Sequence, residues 1–276
     1  MTISTPPSNT AHGQLPACET HELAPRSSSV CVLIPVLNEG DRILDQLERM
    51  RQITGIPDII ITDGGSTDGS TDLEGLRERG VRTLLIKRAE GRLGTQLRIG
   101  FGYGLAQSYD GFVTVDGNGK DGVDAIPRFV EALEQGYDFV QGSRFIPGGE
   151  AVNTPWVRWW AIRALHAPLV SLAAGYGFTD TTNGFRAYSS RLLRHAEVQP
   201  FRDVFQGYEI LWYLAARAAR VGLRVEEIPV TRCYPARGPT PTQIRLPESV
   251  AIIRELAQLV SGRFNPPESK ETRASR

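Results

Sequence analysis

"VCVLIPVLNEGDRILDQLERMRQI", residues 30–53, holds a strand, a polar corner and a helix in one run. Val30 to Val36 is a β-branched apolar stretch interrupted by Pro35, the pattern of a buried strand. Beyond Asn38 and Glu39 the period changes. Ile43, Leu44, Leu47 and Met50 recur at helical spacing behind an acidic first turn. A dinucleotide-binding fold would place Gly-x-Gly-x-x-Gly directly after this first strand. The residues there are "PVLNEG", which excludes hydride transfer to a nicotinamide. The Gly-rich stretch "GRLGTQL" (91–97) follows the third strand instead, the wrong place for the phosphate loop of a sugar-1-phosphate nucleotidyltransferase.

The same alternation continues outward. "PDIIITD" (57–63) reads as a second strand closed by the turn "GGSTDGS" (64–70), followed by a short helix near 71–79. Then come a strand "RTLLIK" (82–87), a helix over 93–107, a strand "GFVTVD" (111–116), a helix "DAIPRFVEAL" (124–133) and a strand "YDFVQGS" (137–143). Strands alternating with helices predict parallel strands joined by right-handed crossovers. Open sheets of this class bind ligands at the carboxyl ends of their strands. Pro35 to Glu39, Asp63 to Asp68, Asp116 to Lys120, and Ser143 with Arg144 all fall at such ends. Each loop alone is ordinary turn chemistry. Their convergence on one edge predicts a site.

Composition narrows the partners. Thirty-one acidic residues balance thirty-one basic ones over 276 residues, so no net field draws the chain to nucleic acid. The cysteines Cys18, Cys31 and Cys233 have no metal-ligand spacing and suit a reducing compartment. The histidines His12, His21, His166 and His195 are scattered, without a zinc-binding pattern. Residues 1–28, rich in Ser, Thr and Pro, read as a disordered leader without the features of a secretory signal, and 263–276 as a disordered tail. The folded domain is expected over 29–262, with a nucleotide half at about 29–150 and an acceptor half at about 151–262. No stretch reaches the roughly 18 apolar residues of a membrane span. "TPWVRWWAIRALHAPLVSLAAGYGF" (154–178) nevertheless combines Trp156, Trp159 and Trp160 with Arg158 and Arg163. That mixture fits a helix lying on a membrane face or one packed on the sheet.

Seven stretches in order resemble glycosyltransferase family 2, of GT-A fold, in its dolichyl-phosphate mannosyltransferase-like (polyprenyl-phosphate hexosyltransferase) branch. They are "VLIPVLNEGDRI", "IIITDGGSTDGS", "GRLGTQLRIGF", "VTVDGNGKDGVDAIPRFVEAL", "VQGSRFIPGG", "TDTTNGFRAYS" and "GYEILWYLAARAARVGLRVEEIPV". The resemblance implies an α/β fold with a Rossmann-like, mostly parallel open sheet flanked by helices. It also implies an inverting hexosyltransferase acting on a nucleotide sugar such as GDP-mannose, UDP-glucose or UDP-N-acetylglucosamine. The acceptor is a polyprenyl phosphate; a soluble small molecule or nucleoside-type scaffold, and a non-catalytic nucleotide-sugar binder, are the alternatives. The implied location is the cytoplasm, with peripheral contact at the inner membrane face.

Site roles follow from the same resemblance. Pro35, Asn38, Glu39 and Asp63 would hold the nucleotide base, with Gly65, Ser66 and Gly94 also on the donor. Asp116 and Asn118 would hold Mg²⁺ or Mn²⁺ on the diphosphate, and Arg144 and Arg186 would meet phosphate oxygens. Asp180 and Glu209 are the candidate bases for a hydroxyl acceptor. Several positions depart from the family pattern. Gly64 replaces the second acid of the turn, Asn183 replaces a serine, and Thr242 and Gln243 stand where Ser-Lys is usual, with Arg245 nearby. Asn118 replaces the second acid of the D-x-D loop, and Lys120 follows it. The expectation is a weakly bound cation, with the Lys120 charge helping on the diphosphate.

Overall fold

The computed structural model describes residues 9–10, 13–236 and 246–267. The segment containing Thr242, Gln243 and Arg245 lies outside the described residues. A small antiparallel pair, β1 (Asn9–Thr10) and β2 (Gly13–Gln14), precedes the main sheet. That sheet has eight strands: β3 (Cys18–Glu22), β4 (Val30–Val36), β5 (Asp58–Asp63), β6 (Val81–Lys87), β7 (Gly111–Thr114), β8 (Phe139–Ser143), β10 (Arg186–Ser189) and β11 (Val225–Pro229). Their spatial order is β11-β8-β10-β7-β4-β5-β6-β3. Strands β7, β4, β5 and β6 are parallel neighbours, as the alternation predicts. Strand β10 enters antiparallel between β7 and β8, and β11 pairs parallel to β8.

Two-residue periodicity divides the core between the two sheet faces. Along β4 and β5, Val30, Val32, Ile34, Val36, Ile59 and Ile61 face one way, onto Ile43, Leu47 and Met50 of α1 (Asp41–Arg51) and Ile126 and Phe129 of α4 (Ile126–Glu134). Cys31, Leu33 and Ile60 face the other way. There they meet α3 (Leu93–Ala106) and Ile210 and Leu214 of α8 (Glu209–Arg220). Helix α3 lies close on the sheet because it carries glycines. A side chain at Gly100 would run into Leu33, and one at Gly104 into Phe112. A further short helix, α2 (Leu73–Glu78), is capped by Asp72, which accepts from Gly75 N at 3.1 Å.

Two compositional readings need correcting. Cys18–Glu22, expected within a disordered leader, is the edge strand β3, antiparallel to β6. Its polar sequence hides the pattern, yet Cys18 and Thr20 turn inward, and Asp58 accepts from the backbone N–H groups of both Ser27 and Ser28. Phe264, expected in a disordered tail, packs in the α3/α8 core beside Phe205. Beyond β8 the chain forms a two-strand pair, β9 (Glu150–Val152) with β12 (Thr231–Cys233), and the helices α5 (Trp156–Ala161) and α6 (Ala167–Ala174). The short α7 (Ser190–Arg194) follows β10, and α9 (Leu246–Val260) packs on α6 and α8.

Candidate active site

The first corner lies at the ends of β4 and β5. Asn38 takes a left-handed conformation (φ 52°), donates its backbone N–H to Ser66 Oγ at 2.9 Å and accepts from Thr67 N at 2.9 Å. Its neighbour Glu39 pairs with Arg42 at 2.9 Å. Asp63 is buried, and its carboxylate accepts from Ser66 N (2.9 and 3.1 Å) and Ser66 Oγ (2.6 Å). The acid expected to face the base therefore shapes the turn that presents Gly65, whose φ of +102° suits glycine. Gln96 of α3 ties the two strand ends, donating to Val36 O (2.9 Å) and Thr62 O (2.7 Å). A side chain at Gly64 would press on Gln96 and Leu37 at 3.3 Å, a physical reason for glycine where the family pattern has an acid.

The second corner is the loop after β7. Asp116 is 29% exposed, and its Oδ2 accepts from Arg232 Nη2 at 2.8 Å and from Asn118 Nδ2 at 3.3 Å. Asp121 is wholly buried, with both oxygens on Arg232 Nη1 at 2.6 and 2.8 Å. Gly184 leaves room for Asp116; any side chain there would collide with Oδ1. The loop is zipped to β12 by Gly122 N to Thr231 O (2.9 Å) and Cys233 N to Lys120 O (2.8 Å). That places Tyr234 among cations. Lys120 Nζ lies 5.0 Å from its ring centroid, and the guanidinium carbons of Arg158 and Arg232 lie at 5.5 and 6.0 Å. Burial would raise the Tyr234 phenol, but the charges of Arg232, Arg158, Lys120 and Arg144 outweigh it and lower it. Burial, then the Arg232 charge, pushes the Lys120 ammonium down to about 8, against the pull of Asp116. Burial would also raise the Asp116 carboxyl, yet Arg232 and Lys120 hold it below the usual range.

Three expected roles change here. Asp180 is fully buried and clamps Arg144: Nε to Oδ2 is 2.6 Å and Nη2 to Oδ1 is 2.9 Å. Its own backbone N–H and that of Thr179 are held by Glu227 at 3.3 and 3.0 Å. This is a structural pair, so Asp180 is not placed as a general base, and most of the Arg144 donor face is already engaged. Arg186, expected on phosphate, is buried at 0% exposure and donates to three carbonyls, those of Asn183, Thr181 and Leu211. It fastens the "TTNGFR" loop to α8. Glu209 Oε1 accepts from Gln206 N (2.5 Å) and Gly207 N (2.6 Å), which ties this acid to the chain just ahead of α8. Gly94 belongs to that same corner, where a Cβ would lie 2.8 Å from Gly207 O. Charge patterning alone could not separate such structural arginines and acids from functional ones.

The region expected on the acceptor side carries α5 and α6. No residue of α5 is buried; Trp156 is 75% and Trp160 59% exposed. Trp159 instead packs edge-on against Phe145 and Trp160, under Arg163. Arg158 donates to Tyr234 Oη at 2.8 Å, joining this helix directly to the cationic cluster. A π-helical turn, Ile162–His166, separates α5 from α6. Its His166 accepts from or donates to Thr181 Oγ1 at 2.6 Å, and burial pushes it down to about 3. A cavity of about 150 Å³ opens beside it, lined by Phe145, Arg163, Pro168, Ser171, Phe178 and Thr179. No described helix is long and apolar enough to cross a membrane.

The profile of the family described as Glycosyl transferase family 2 matches residues 31–196. The chain belongs to that family. It is a glycosyltransferase. It is 33% identical over 207 residues to an undecaprenyl-phosphate mannosyltransferase of Micrococcus luteus, covering 73% of this chain and 82% of that protein. A polyprenol monophosphomannose synthase of Mycolicibacterium smegmatis is 28% identical, covering 72% of this chain and 76% of that protein. Among solved structures, glucosyl-3-phosphoglycerate synthase from Mycobacterium tuberculosis in complex with phosphoglyceric acid superposes with a TM-score of 0.61 at 20% identity, over 87% of this chain and 81% of that one. The same synthase with Mn²⁺ and UDP-glucose gives a TM-score of 0.60 at 20% identity, covering 87% and 80%. These likenesses show the GT-A fold.

In this glycosyltransferase the D-x-D-like loop departs from a metal-binding donor set. A small dication takes about six oxygen ligands, several from carboxylates. Here Asp116 Oδ2 is shared with Arg232 and Asn118, Asn118 Oδ1 accepts from Lys120 N at 3.3 Å, and Asp121 is engaged by Arg232. A dication on that Asp116 oxygen would meet a guanidinium; like unit charges at about 4 Å repel by about 4 kcal/mol at an effective dielectric of about 20. Among the described residues no group of three or more His, Cys, Asp or Glu is placed to hold a metal. The set fits a tightly held dication poorly. Arg232 and Tyr234 were missed from sequence, where "TRCY" reads only as a strand end; the one available signal is their i, i+2 spacing on a single face.

Proposed function

We propose that this glycosyltransferase moves a hexosyl group from a nucleotide sugar to a polyprenyl phosphate, with inversion at the anomeric carbon. A phosphate oxygen of the acceptor bonds to C1 as the C1–O bond to the donor diphosphate breaks, and the nucleoside diphosphate leaves with that electron pair. The observation that carries this reading is the state of the carboxylates. Asp116 and Asp121 are paired with Arg232, Asp180 with Arg144, and Glu209 with the backbone N–H groups of Gln206 and Gly207. A hydroxyl acceptor needs a base to take its proton. An acceptor phosphate is already anionic and needs cations to guide it, which Arg158 beside Tyr234 and Arg163 over Trp159 provide. The exposed Trp156 and Trp160 support acceptor delivery from a membrane surface, consistent with peripheral contact at the cytoplasmic face. The named activities of the two sequence relatives support the same acceptor class. Asn38, Glu39 and Gly65 at the open β4/β5 corner are assigned to the nucleoside, and the folded unit to Cys18–Phe264.

The test offers GDP-mannose, UDP-glucose and UDP-N-acetylglucosamine with three acceptors: a short polyprenyl phosphate, the matching free polyprenol, and 3-phosphoglycerate. Products are read by mass spectrometry. A glycosyl polyprenyl phosphate from one donor, with no product on the polyprenol, is the expected result. Product only on 3-phosphoglycerate would move the protein to a soluble acceptor and end this reading.

A further inference from the structure

We propose that Arg232, together with Lys120, supplies the positive charge that holds the donor diphosphate, in place of a resident divalent cation. This inference rests on the nucleotide-sugar reading above. The guanidinium of Arg232 lies between Asp116, the acid expected to hold a metal, and Asp121, bonded to Asp121 through Nη1 and to Asp116 through Nη2. Arg232 is 5% exposed, Asn183 Oδ1 lies 3.3 Å from Nη1, and the Arg232 backbone pairs with Ala151 of β9. A guanidinium carries five N–H donors, so Arg232 can keep Nη1 on Asp121 and Nη2 on Asp116 and still present the second Nη2 hydrogen to a phosphate oxygen. Lys120 is in the Asp116 loop, and its backbone is tied to the strand that carries Arg232 by Cys233 N to Lys120 O at 2.8 Å. The two substitutions that weaken a metal site act in the same direction. Asn118 removes an anion that a dication would need, and Lys120 adds a cation that a dianionic diphosphate can use.

A second observation is where the cations gather. Lys120 Nζ and the guanidinium carbons of Arg158 and Arg232 lie 5.0, 5.5 and 6.0 Å from the Tyr234 ring centroid, so a diphosphate beside that ring would meet several positive charges at once. In this arrangement Asp116 is a positioning residue: its Oδ2 orients Arg232 Nη2, and its Oδ1 is turned to the backbone at Gly184.

The experiment is isothermal titration of the full chain with GDP and with UDP, each in EDTA and in Mn²⁺. The expected result is that one nucleotide binds in EDTA with a Kd within about threefold of its value in Mn²⁺. Lys120→Met should weaken that EDTA affinity by about tenfold or more, and Lys120→Arg should restore it to within about threefold. Arg232→Met should do at least as much damage; if that variant does not fold, the Lys120 pair carries the test alone. A nucleotide that binds in Mn²⁺ but at least about thirtyfold more weakly in EDTA overturns the inference and leaves the glycosyl-transfer reading standing. Unchanged EDTA affinity in Lys120→Met also overturns it. If neither nucleotide binds under either condition, the donor reading fails and this inference fails with it.

Discussion

Replacing Asp180 by asparagine keeps the shape of the side chain and removes its charge, which separates an acid that holds the fold from one that works on an acceptor. In the structure Asp180 Oδ1 accepts from Arg144 Nη2 (2.9 Å) and Thr182 N (3.2 Å), while Oδ2 accepts from Arg144 Nε (2.6 Å) and Arg144 N (3.3 Å). An asparagine can keep the Oδ1 partners, but its NH₂ group then faces two donors. The Arg144 guanidinium, 1% exposed, cannot shed its proton and is left without a counter-charge. Removing one partner from such a buried pair costs about 3–5 kcal/mol. A domain's whole stability is about 5–15 kcal/mol. With an m-value of about 2–3 kcal/mol/M in urea, the unfolding midpoint should fall by about 1–2.5 M. The assay is urea unfolding followed by circular dichroism, run beside the transfer assay. A paired substitution, Asp180→Leu with Arg144→Met, should recover much of the loss, because replacing both charges by apolar groups is often neutral. A catalytic base behaves differently: its loss lowers the rate by about 10²–10⁴-fold with little effect on stability. If Asp180→Asn kept the wild-type urea midpoint while transfer collapsed, the structural assignment would be wrong and the hydroxyl-acceptor mechanism would return.

Three further outcomes can be checked. Burial and the Glu209 charge push the Glu255 carboxyl from 4.5 up to about 7, so the folded state keeps a proton that the unfolded chain releases. Its contribution is therefore present below about 4.5 and lost as pH rises through about 7. Glu255→Gln should match the wild type near pH 4.5 and be more stable at pH 8, by about 1 kcal/mol once solvent screening is allowed for; equal stability of the two at pH 8 would contradict the Glu209–Glu255 repulsion. Gly94→Ala puts a Cβ 2.8–2.9 Å from the Gln206–Gly207 backbone and should cost about 1–3 kcal/mol, seen as a lower melting temperature. Wild-type protein should co-sediment with vesicles containing anionic lipid, and the double variant Trp156→Ala, Trp160→Ala should lose this binding while its stability stays within about 0.5 kcal/mol. Wild-type protein remaining wholly in the supernatant at low salt would remove the membrane face.

Strand and helix identity were legible from period alone. The change from alternating Val30, Val32, Ile34 to helically spaced Ile43, Leu47, Met50 is a local property of the chain, and burial follows it on both sheet faces. The order of the motifs was likewise enough to predict the fold family and to gather the loops at one edge, because parallel crossovers return every strand's carboxyl end to the same side. What a polar side chain does there was not local. Asp180, Arg186 and Glu209 stand in motifs of the right kind, yet their partners are Arg144, the carbonyls of Thr181, Asn183 and Leu211, and the backbone of Gln206 and Gly207. Arg232 is 116 residues from Asp116 in sequence and 2.8 Å from it in space. No spacing rule reaches that far; only the pairing of β12 with β9 and its closure on the Lys120 loop brings the two charges together. The sequence by itself thus determined which edge of the sheet is chemical, through hydrophobic period and crossover handedness. The tertiary structure decided which of its charges are already neutralised, because that depends on long-range contacts between side chains far apart in the chain.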